Sequence, residues 1–290
     1  MKQYQIFTDA TSDLTDVPMA GLPSVEIIPM EIEIDGRTYQ YGPMGNITVR
    51  DFYDLQKNGA DIKTTGINPW TYRSYFEPVL QKGLDILYLC FSSGLSGTIM
   101  SARLSAEELQ KKYPERRIIC IDTLCASLGE GFLVREAARK QAEGLSLDEL
   151  VQWVTEHRVE VCHWFTVDTF EHLRKGGRVS AAAAATGTVL QIKPTLHVDE
   201  NGHLAVMGKP RGRKQANRKL LEKIEAGWEP ETGKLIIVGH GDCPDGGEVL
   251  KAAIETRFPE AEIYVMDIGP VIGAHTGPGM LAVLFWGNMR

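Results

Sequence analysis

The sequence contains no hydrophobic run that could cross a membrane. None of its apolar stretches reaches the roughly 18–20 residues that a membrane helix needs. The opening stretch, MKQYQIFTDATSD, has no apolar signal-peptide core and soon turns acidic. We therefore expect a cytoplasmic protein without stable membrane insertion.

An excess of positive charge is also absent. The chain has 38 acidic and 31 basic residues, and its formal net charge is −7. A generic nucleic-acid binder needs a basic surface that neutralises phosphates. The composition therefore argues against a nucleic-acid partner, although basic residues still cluster locally.

Cysteine is sparse and is not arranged for disulfides or for zinc. The five cysteines are odd in number, scattered, and never spaced as CxxC. Three of them, Cys90, Cys120 and Cys162, lie in apolar segments that are typical of strands. HxH and HExxH patterns are absent as well. We expect reduced cysteines that serve mostly as small core residues, and no metal centre.

What the sequence does have is an alternation of strand-like and helix-like segments. In the first half, apolar runs such as YQIFT (4–8) and DILYLC (85–90) alternate with helical segments, which is typical of βαβ units and a parallel sheet. The second half mixes helices with a hairpin over 195–209. We predict an α/β protein with an N-terminal parallel-sheet domain (1–160) and a C-terminal α+β domain (161–290).

Several local signals sharpen this prediction. EIEIDGRTYQY (31–41) alternates on both sides of an Asp-Gly pair, which predicts a hairpin. Ser146 and Glu149 form a capping box that opens a helix. KTTGINP (63–69) and GPVIGAHTGPG (269–279) have the composition of loops.

The stretch SSGLSGT (92–98) follows a strand and precedes a helix. Like the polar pairs at 8–9 and 122–123, it falls at the carboxyl end of a strand, where ligands bind in parallel sheets. Its hydroxyls, Gly97 and the next helix N-terminus would form an anion cradle. Ser96 could instead simply cap the helix. A GxSxG nucleophile elbow does not fit the glycine spacing, and a Walker A lysine is missing. The motif favours an anion cradle over a cap or a catalytic serine.

Other polar residues have more than one interpretation each. His275, set among glycines, would hydrogen-bond an anion, act as a general base, or fill a loop. Thr64 and Thr65 sit in a loop that enters a helix, and the residues alone favour that plain role. Asp9 and Asp13 could form a carboxylate pair or a set of metal ligands, although turns and caps are the commoner use.

Basic residues cluster at two places. Arg174, Lys175 and Arg178 flank a Gly-Gly pair, and a second group runs through residues 209–219. Solvated surface is the usual role of such residues. The alternative is a docking patch for an acidic partner or for phosphate.

Taken in order, these segments resemble the DegV family of bacterial fatty-acid-binding proteins, which includes the binding subunits of the fatty acid kinase system. The resemblance covers nearly the whole chain. The matching segments are IFTDATSDL (6–14), SSGLSGTIMSA (92–102), DTLCASLGEG (122–131), FTVDTFEHLRKGGRVS (165–180), KPTLHVDENG (193–202) and GPVIGAHTGPG (269–279). The resemblance implies two α/β domains with a long acyl chain buried between them, and no cofactor.

The resemblance also implies residues that bind the ligand. It assigns the fatty acid carboxylate to Thr65 and Ser96, with Thr64, Ser93 and His275 close to the same head group. Where the family reads TSQP, this chain has Thr65-Gly66-Ile67-Asn68, so the Ser-Gln-Pro that shapes the loop is not kept.

Two arginines and an alanine run complete the resemblance. Arg178 and Arg211 match basic residues that are thought to meet the kinase. The alanines at 181–185 would suit a helix packed beside an acyl tunnel, or a close helix contact without a ligand.

The implied function is not enzymatic. The protein would hold a long-chain fatty acid and present it to the catalytic subunit of a fatty acid kinase, which would make acyl phosphate. One alternative is a serine-dependent lipid hydrolase or acyltransferase that uses Ser96 and His275. Another is an interaction module that uses the basic residues at 209–219.

Overall fold

The computed structural model describes residues 4–14, 19–180, 191–288 and 290, and every structural statement below concerns these residues. The strands are β1 (Tyr4–Asp9), β2 (Glu26–Ile28), β3 (Met30–Ile34), β4 (Arg37–Tyr41), β5 (Ile62–Thr64), β6 (Asp85–Cys90), β7 (Ile118–Asp122), β8 (Val161–Thr166), β9 (Thr195–Val198), β10 (Leu204–Gly208), β11 (Leu235–His240), β12 (Glu262–Asp267) and β13 (Leu281–Trp286).

The helices alternate with these strands along the chain. They are α1 (Val49–Lys57), α2 (Pro69–Gln81), α3 (Thr98–Lys112), α4 (Leu128–Ala142), α5 (Leu147–His157), α6 (Glu171–Lys175), α7 (Arg213–Gly227), α8 (Pro244–Arg257) and α9 (Pro270–Thr276), with short 3₁₀ turns at Ala10–Ser12 and Arg158–Glu160. The alanine run at 181–185 lies outside the described residues, and so does any role for it. Within the described part of the chain, no helix combines the length and the apolar character that crossing a membrane requires.

The first sheet is parallel, as the alternation of strands and helices predicts. Its strand order is β2-β1-β6-β7, and β1 pairs in parallel register with both β2 and β6. Strand β1 is buried along its whole length, as expected for a parallel sheet covered on both faces. The carboxyl ends of β1, β6 and β7 therefore meet at one edge, which brings together the three polar segments identified in the sequence.

The second sheet is mixed, in the order β10-β9-β8-β13-β11-β12, and only its β11–β12 pair is parallel. A small antiparallel sheet, β4-β3-β5, is not hydrogen-bonded to either of the large sheets in the described residues. These findings confirm the α/β class with a parallel first sheet and a mixed second one. The division into domains at residue 160 stays a prediction.

Most local predictions are confirmed, and two are wrong. Asp35 and Gly36 both have positive φ in the β3–β4 hairpin, and Ser146 with Glu149 caps α5 in both directions. The segment predicted as a loop at 63–69 begins inside β5, because its first residues pair with β3. His275 lies in the last turn of α9 and not in a loop.

The main core joins both large sheets through α4 and α5. It includes Ile6 and Leu87 of the first sheet, Phe132 of α4, and Phe165 and Leu284 of the second. A second cluster lies under the small sheet and α1–α3, and a third lies between the second sheet and helices α7 and α8. Helix α9 and the turn after β1 are thereby held over the carboxyl edge of the first sheet.

Candidate functional site

A cavity lies where the three sheets meet. It contains about 930 Å³ of empty space, a volume that includes open solvent. Its walls are mostly apolar and come from both halves of the chain, with Phe91, Leu173, Ile272, Met280 and Leu284 among them. Such a cavity suits a ligand with a long apolar part.

Polar side chains gather at one end of this cavity. Thr64 ends β5, His275 lies in the last turn of α9, and the two side chains meet at 2.8 Å between Oγ1 and Nε2. Thr98 begins α3 and accepts the backbone N–H of Ile67 at 3.2 Å. We call this group the polar end, and it consists of Thr64, Thr65, Ser96, Thr98, Arg178 and His275.

His275 is neutral at physiological pH. Its burial lowers its pKa to about 4, and the nearby Arg178 and His172 act in the same direction. Its Nδ1 has no hydrogen-bond partner among the described residues. A Cβ on Gly176 would lie 2.1 Å from that nitrogen, so the imidazole fits because position 176 is glycine.

The two adjacent threonines differ in their settings. Thr64 is half-buried and pairs with Ile32 across the small sheet. Thr65 is exposed, and its hydroxyl makes only a 3.5 Å contact with the carbonyl of Glu31, although it also lines the cavity. The geometry thus gives Thr64 the better-fixed hydroxyl of the pair.

Ser96 lies just before the N-cap residue of α3, and its anion-binding role stays a prediction. Gly97 occupies the N-cap position of α3, and Ser96 Oγ accepts the N–H of Thr98 at 3.3 Å. Ser96 also lines the cavity. Its hydroxyl proton is therefore available to a ligand while its oxygen supports the helix start.

The other predicted residues divide between cavity and surface. Arg178 lines the cavity, donates Nε–H to the carbonyl of Leu95 at 3.2 Å, and has its pKa lowered by burial. Ser93 is exposed and lies outside the described lining. Arg211 is exposed and lies outside that lining as well. No group of His, Cys, Asp or Glu side chains in the described ranges is arranged to hold a metal ion.

The remaining hydroxyl and imidazole groups in the wall are already engaged by the protein. Thr11 contacts buried carboxylates, and Ser127 donates to Asp13 at 2.6 Å. His163 uses Nδ1 toward the Val161 carbonyl and Nε2 toward the Ala126 N–H, and Thr276 donates to the Ile272 carbonyl. Away from the polar end, these groups therefore offer a ligand little unused hydrogen-bonding capacity.

A buried pair of carboxyl groups lies behind this wall. Asp9 caps the turn after β1 by accepting the Thr11 N–H at 2.9 Å, as one reading of the sequence expected. The carboxyl group of Glu130 in α4 lies within hydrogen-bonding distance of two hydroxyls, that of Thr8 at 3.1 Å and that of Thr11 at 2.9 Å. Burial raises the pKa of both carboxyl groups. Sequence reasoning missed Glu130, although a glutamate inside the apolar segment LGEGFL was a usable signal.

Comparison with known proteins gives a consistent result. A sequence profile of the DegV family, described as a family of uncharacterised proteins, matches residues 3–288. A DegV domain-containing protein of Clostridium perfringens is 38% identical over 290 residues, which is 100% of this chain and 99% of that protein.

Solved structures share the fold over the full length. A Thermus thermophilus DegV family protein, whose structure is described in terms of fatty acid binding, has a TM-score of 0.83 and 29% identity, covering 99% of this chain and 100% of that one. The fatty acid kinase (Fak) B3 protein of Streptococcus pneumoniae, loaded with linoleic acid, has a TM-score of 0.87, covering 99% and 100%. Its 21% identity shows a shared fold alone.

Proposed function

The chain belongs to the DegV family, and we propose that it binds a long-chain fatty acid with the carboxylate at the polar end of its cavity. The observation that carries this proposal is the uneven distribution of unused hydrogen-bond donors along the cavity wall. Several donors gather at the polar end, whereas the hydroxyl and imidazole groups elsewhere in the described lining are engaged by the protein, and the Trp164 indole N–H is a single donor without a partner there. The described ligand of the Thermus thermophilus relative supports the same class.

The apolar walls would supply most of the affinity. Each buried CH₂ contributes about 0.8 kcal/mol, so roughly a dozen methylenes contribute about 10 kcal/mol before the cost of immobilising the ligand. This contribution is the same whichever way the acyl chain lies in the cavity. The orientation of the fatty acid must therefore be set by its head group.

At the polar end we propose a relay from His275 through Thr64 to the carboxylate. A neutral imidazole carries one N–H. With that proton on Nε2, His275 donates to Thr64 Oγ1, and the Thr64 hydroxyl proton is left for the carboxylate. This tautomer also avoids an unpaired N–H against Gly176. The hydroxyls of Thr65 and Ser96 are the further donors in this proposal.

Arg178 would add positive charge at the mouth. It donates to the carbonyls of Leu95 and Gly176, which leaves part of a guanidinium with five N–H donors unused. A carboxylate that leaves bulk water needs such donors. Arg178 would therefore stabilise the bound anion and face any partner that approaches the mouth.

We further propose that the protein is a carrier and not an enzyme. It would use no cofactor and would present the fatty acid to a kinase catalytic subunit, which transfers a phosphoryl group to the carboxylate. Among the described residues, Ser96 does not hydrogen-bond His275, which is paired with Thr64. A serine nucleophile needs an adjacent base, so the geometry favours the carrier over a hydrolase. Arg178 and Arg211 remain our proposed docking residues for the kinase.

The test is direct analysis of the ligand. Denaturing the purified protein, extracting it with solvent and analysing the extract by mass spectrometry should yield about one fatty acid per chain. A Thr64→Ala/Ser96→Ala double variant should yield less. A Ser93→Ala variant, altered outside the described cavity lining, should match the wild type. Absence of fatty acid, together with no uptake of added oleate, would overturn the proposal.

A further inference from the structure

Three large apolar side chains are exposed on helices α2 and α3. Trp70 is 74% exposed, Met100 is 65% exposed and Leu104 is 49% exposed. Single exposed apolar residues are normal on a protein surface, whereas clusters mark interaction sites. The question is therefore whether these three lie together.

The packing of the two helices places them together. Helices α2 and α3 run side by side in the same direction. Ile67 contacts Thr98 where both helices start, and Arg73 pairs with Glu108 at 3.0 Å further along. Trp70 is three residues before Arg73 on α2, and Leu104 is four residues before Glu108 on α3, so each lies on the helix face of one member of this pair. Met100 and Leu104 share a face because they are four residues apart. We call Trp70, Met100 and Leu104 the α2–α3 patch.

The α2–α3 patch begins beside the polar end of the cavity. Ser96 and Thr98 line the polar end and lie in the first turn of α3 or just before it. Met100 follows within the same turn and points to solvent. A macromolecule that reaches the carboxylate from the side of α3 must therefore pass over the patch.

We infer that the α2–α3 patch is a docking surface for the kinase subunit, an inference that rests on the proposed function. Tryptophan, methionine and arginine are enriched at protein interfaces, and tryptophan often dominates their energy. The charged residues exposed around the patch balance in sign, with Arg73 and Arg103 against Glu107 and Glu108. A helix surface that binds anionic lipid is instead rich in Lys and Arg. The patch therefore fits a protein surface better than a membrane.

The test uses a Trp70→Glu/Met100→Glu double variant. Val249→Glu is the matched control, because Val249 is also 65% exposed but lies on α8. Each protein is loaded with oleate and assayed for acyl phosphate formation by the fatty acid kinase catalytic subunit of the same organism at subsaturating concentrations. Oleate affinity and binding to phosphatidylglycerol vesicles are measured in parallel.

The double variant should lower the rate by about tenfold or more while leaving oleate affinity unchanged, and the control should match the wild type. An unchanged rate would overturn the inference. A loss confined to vesicle binding would also overturn it, in favour of a membrane. If the wild type binds oleate but neither supports the kinase nor forms a complex with it, docking is refuted while fatty acid binding stands. Failure to bind oleate at all would refute the proposed function itself, and with it this inference.

Discussion

Replacing Glu130 with glutamine should make the stability of the protein less sensitive to rising pH. The reason is a count of protons around Thr11. Its single hydroxyl proton faces two acceptors, because Thr11 Oγ1 lies 2.5 Å from Asp9 Oδ1 and 2.9 Å from Glu130 Oε2. One hydroxyl can donate to only one of them. The other contact requires a proton on the carboxyl group.

The surroundings assign that proton to Glu130. Asp9 also accepts the Thr11 N–H at 2.9 Å and the Tyr88 hydroxyl at 2.5 Å, which favours its ionised form. Glu130 has fewer donors, and burial together with the neighbouring Asp9 charge raises its pKa well above the ordinary value. Neither carboxyl group forms an ion pair with a described residue. Glu130 would therefore donate to Thr11, which in turn donates to Asp9.

The sign of the pH effect follows from this assignment. In the unfolded chain, glutamate loses its proton near pH 4.3. Above that pH the folded state binds one more proton, so the free energy of unfolding falls by about 1.4 kcal/mol per pH unit until Glu130 itself ionises. Glutamine supplies an N–H at every pH. Between the unfolded-state pKa of glutamate and the raised folded-state pKa of Glu130, Glu130→Gln should therefore gain stability relative to the wild type as pH rises.

Urea unfolding followed by circular dichroism at several pH values in this range measures the difference. Glu143→Gln is the matched control, because Glu143 follows the same helix, is exposed, and has its pKa lowered by Lys140 and Arg139. The free energy of unfolding of Glu143→Gln, relative to the wild type, should not increase as pH rises. A difference between Glu130→Gln and wild type that stays constant or shrinks as pH rises would refute the shared proton.

Three further predictions concern the cavity. Gly176→Ala should weaken fatty acid binding, because the new Cβ would lie 2.1 Å from His275 Nδ1. Gly246→Ala is the control and should not weaken binding, since the nearest atom to its new Cβ would be 3.6 Å away. Titration with a fluorescent fatty acid measures the affinity of both variants. Thr64→Val should lower fatty acid affinity by about tenfold or more, with a smaller effect on the free energy of unfolding. Thr11→Val should instead lower the free energy of unfolding by about 1–3 kcal/mol, with little loss of affinity. If either variant changed affinity and stability equally, the assignment of Thr64 to the ligand and of Thr11 to the protein interior would be contradicted. Because the pKa of His275 is lowered to about 4, affinity should show no step near pH 6.5, and such a step would mean that this imidazole titrates normally.

Local pattern was sufficient to predict the elements that depend on neighbours in sequence. The Asp-Gly hairpin and the capping box of α5 are set by a few adjacent residues, and both are confirmed. The parallel sheet follows from the alternation of apolar strands and helices. Because parallel strands end at one edge, the position of SSGLSGT near the site also followed from order along the chain.

What could not be predicted depends on contacts between distant segments. Strand β5 has three residues and exists because it pairs with β3, about 30 residues earlier. Helix α9 reads as a glycine-rich loop, yet Gly273 permits close packing, since a Cβ there would lie 2.6 Å from the Tyr53 hydroxyl. The contact between Thr64 and His275 needs both of these elements in place. Position along the chain therefore could not decide between Thr64 and Thr65.

The buried carboxyl groups and the polar end are two parts of one arrangement. A tunnel for an acyl chain through a protein of this kind must pass hydroxyl groups, and any hydroxyl with an unused proton would compete for the head group. Along the wall, Asp13 accepts the hydroxyl proton of Ser127, and Thr11 is occupied between Asp9 and Glu130. Their protons are thus turned away from the cavity. At the polar end the proposed arrangement is the reverse, because a neutral His275 that donates through Nε2 would occupy the oxygen of Thr64 and leave the threonine proton free. Under the proposed function, the direction of the bound fatty acid would depend on which hydroxyl protons are already engaged more than on how many hydroxyls each end contains.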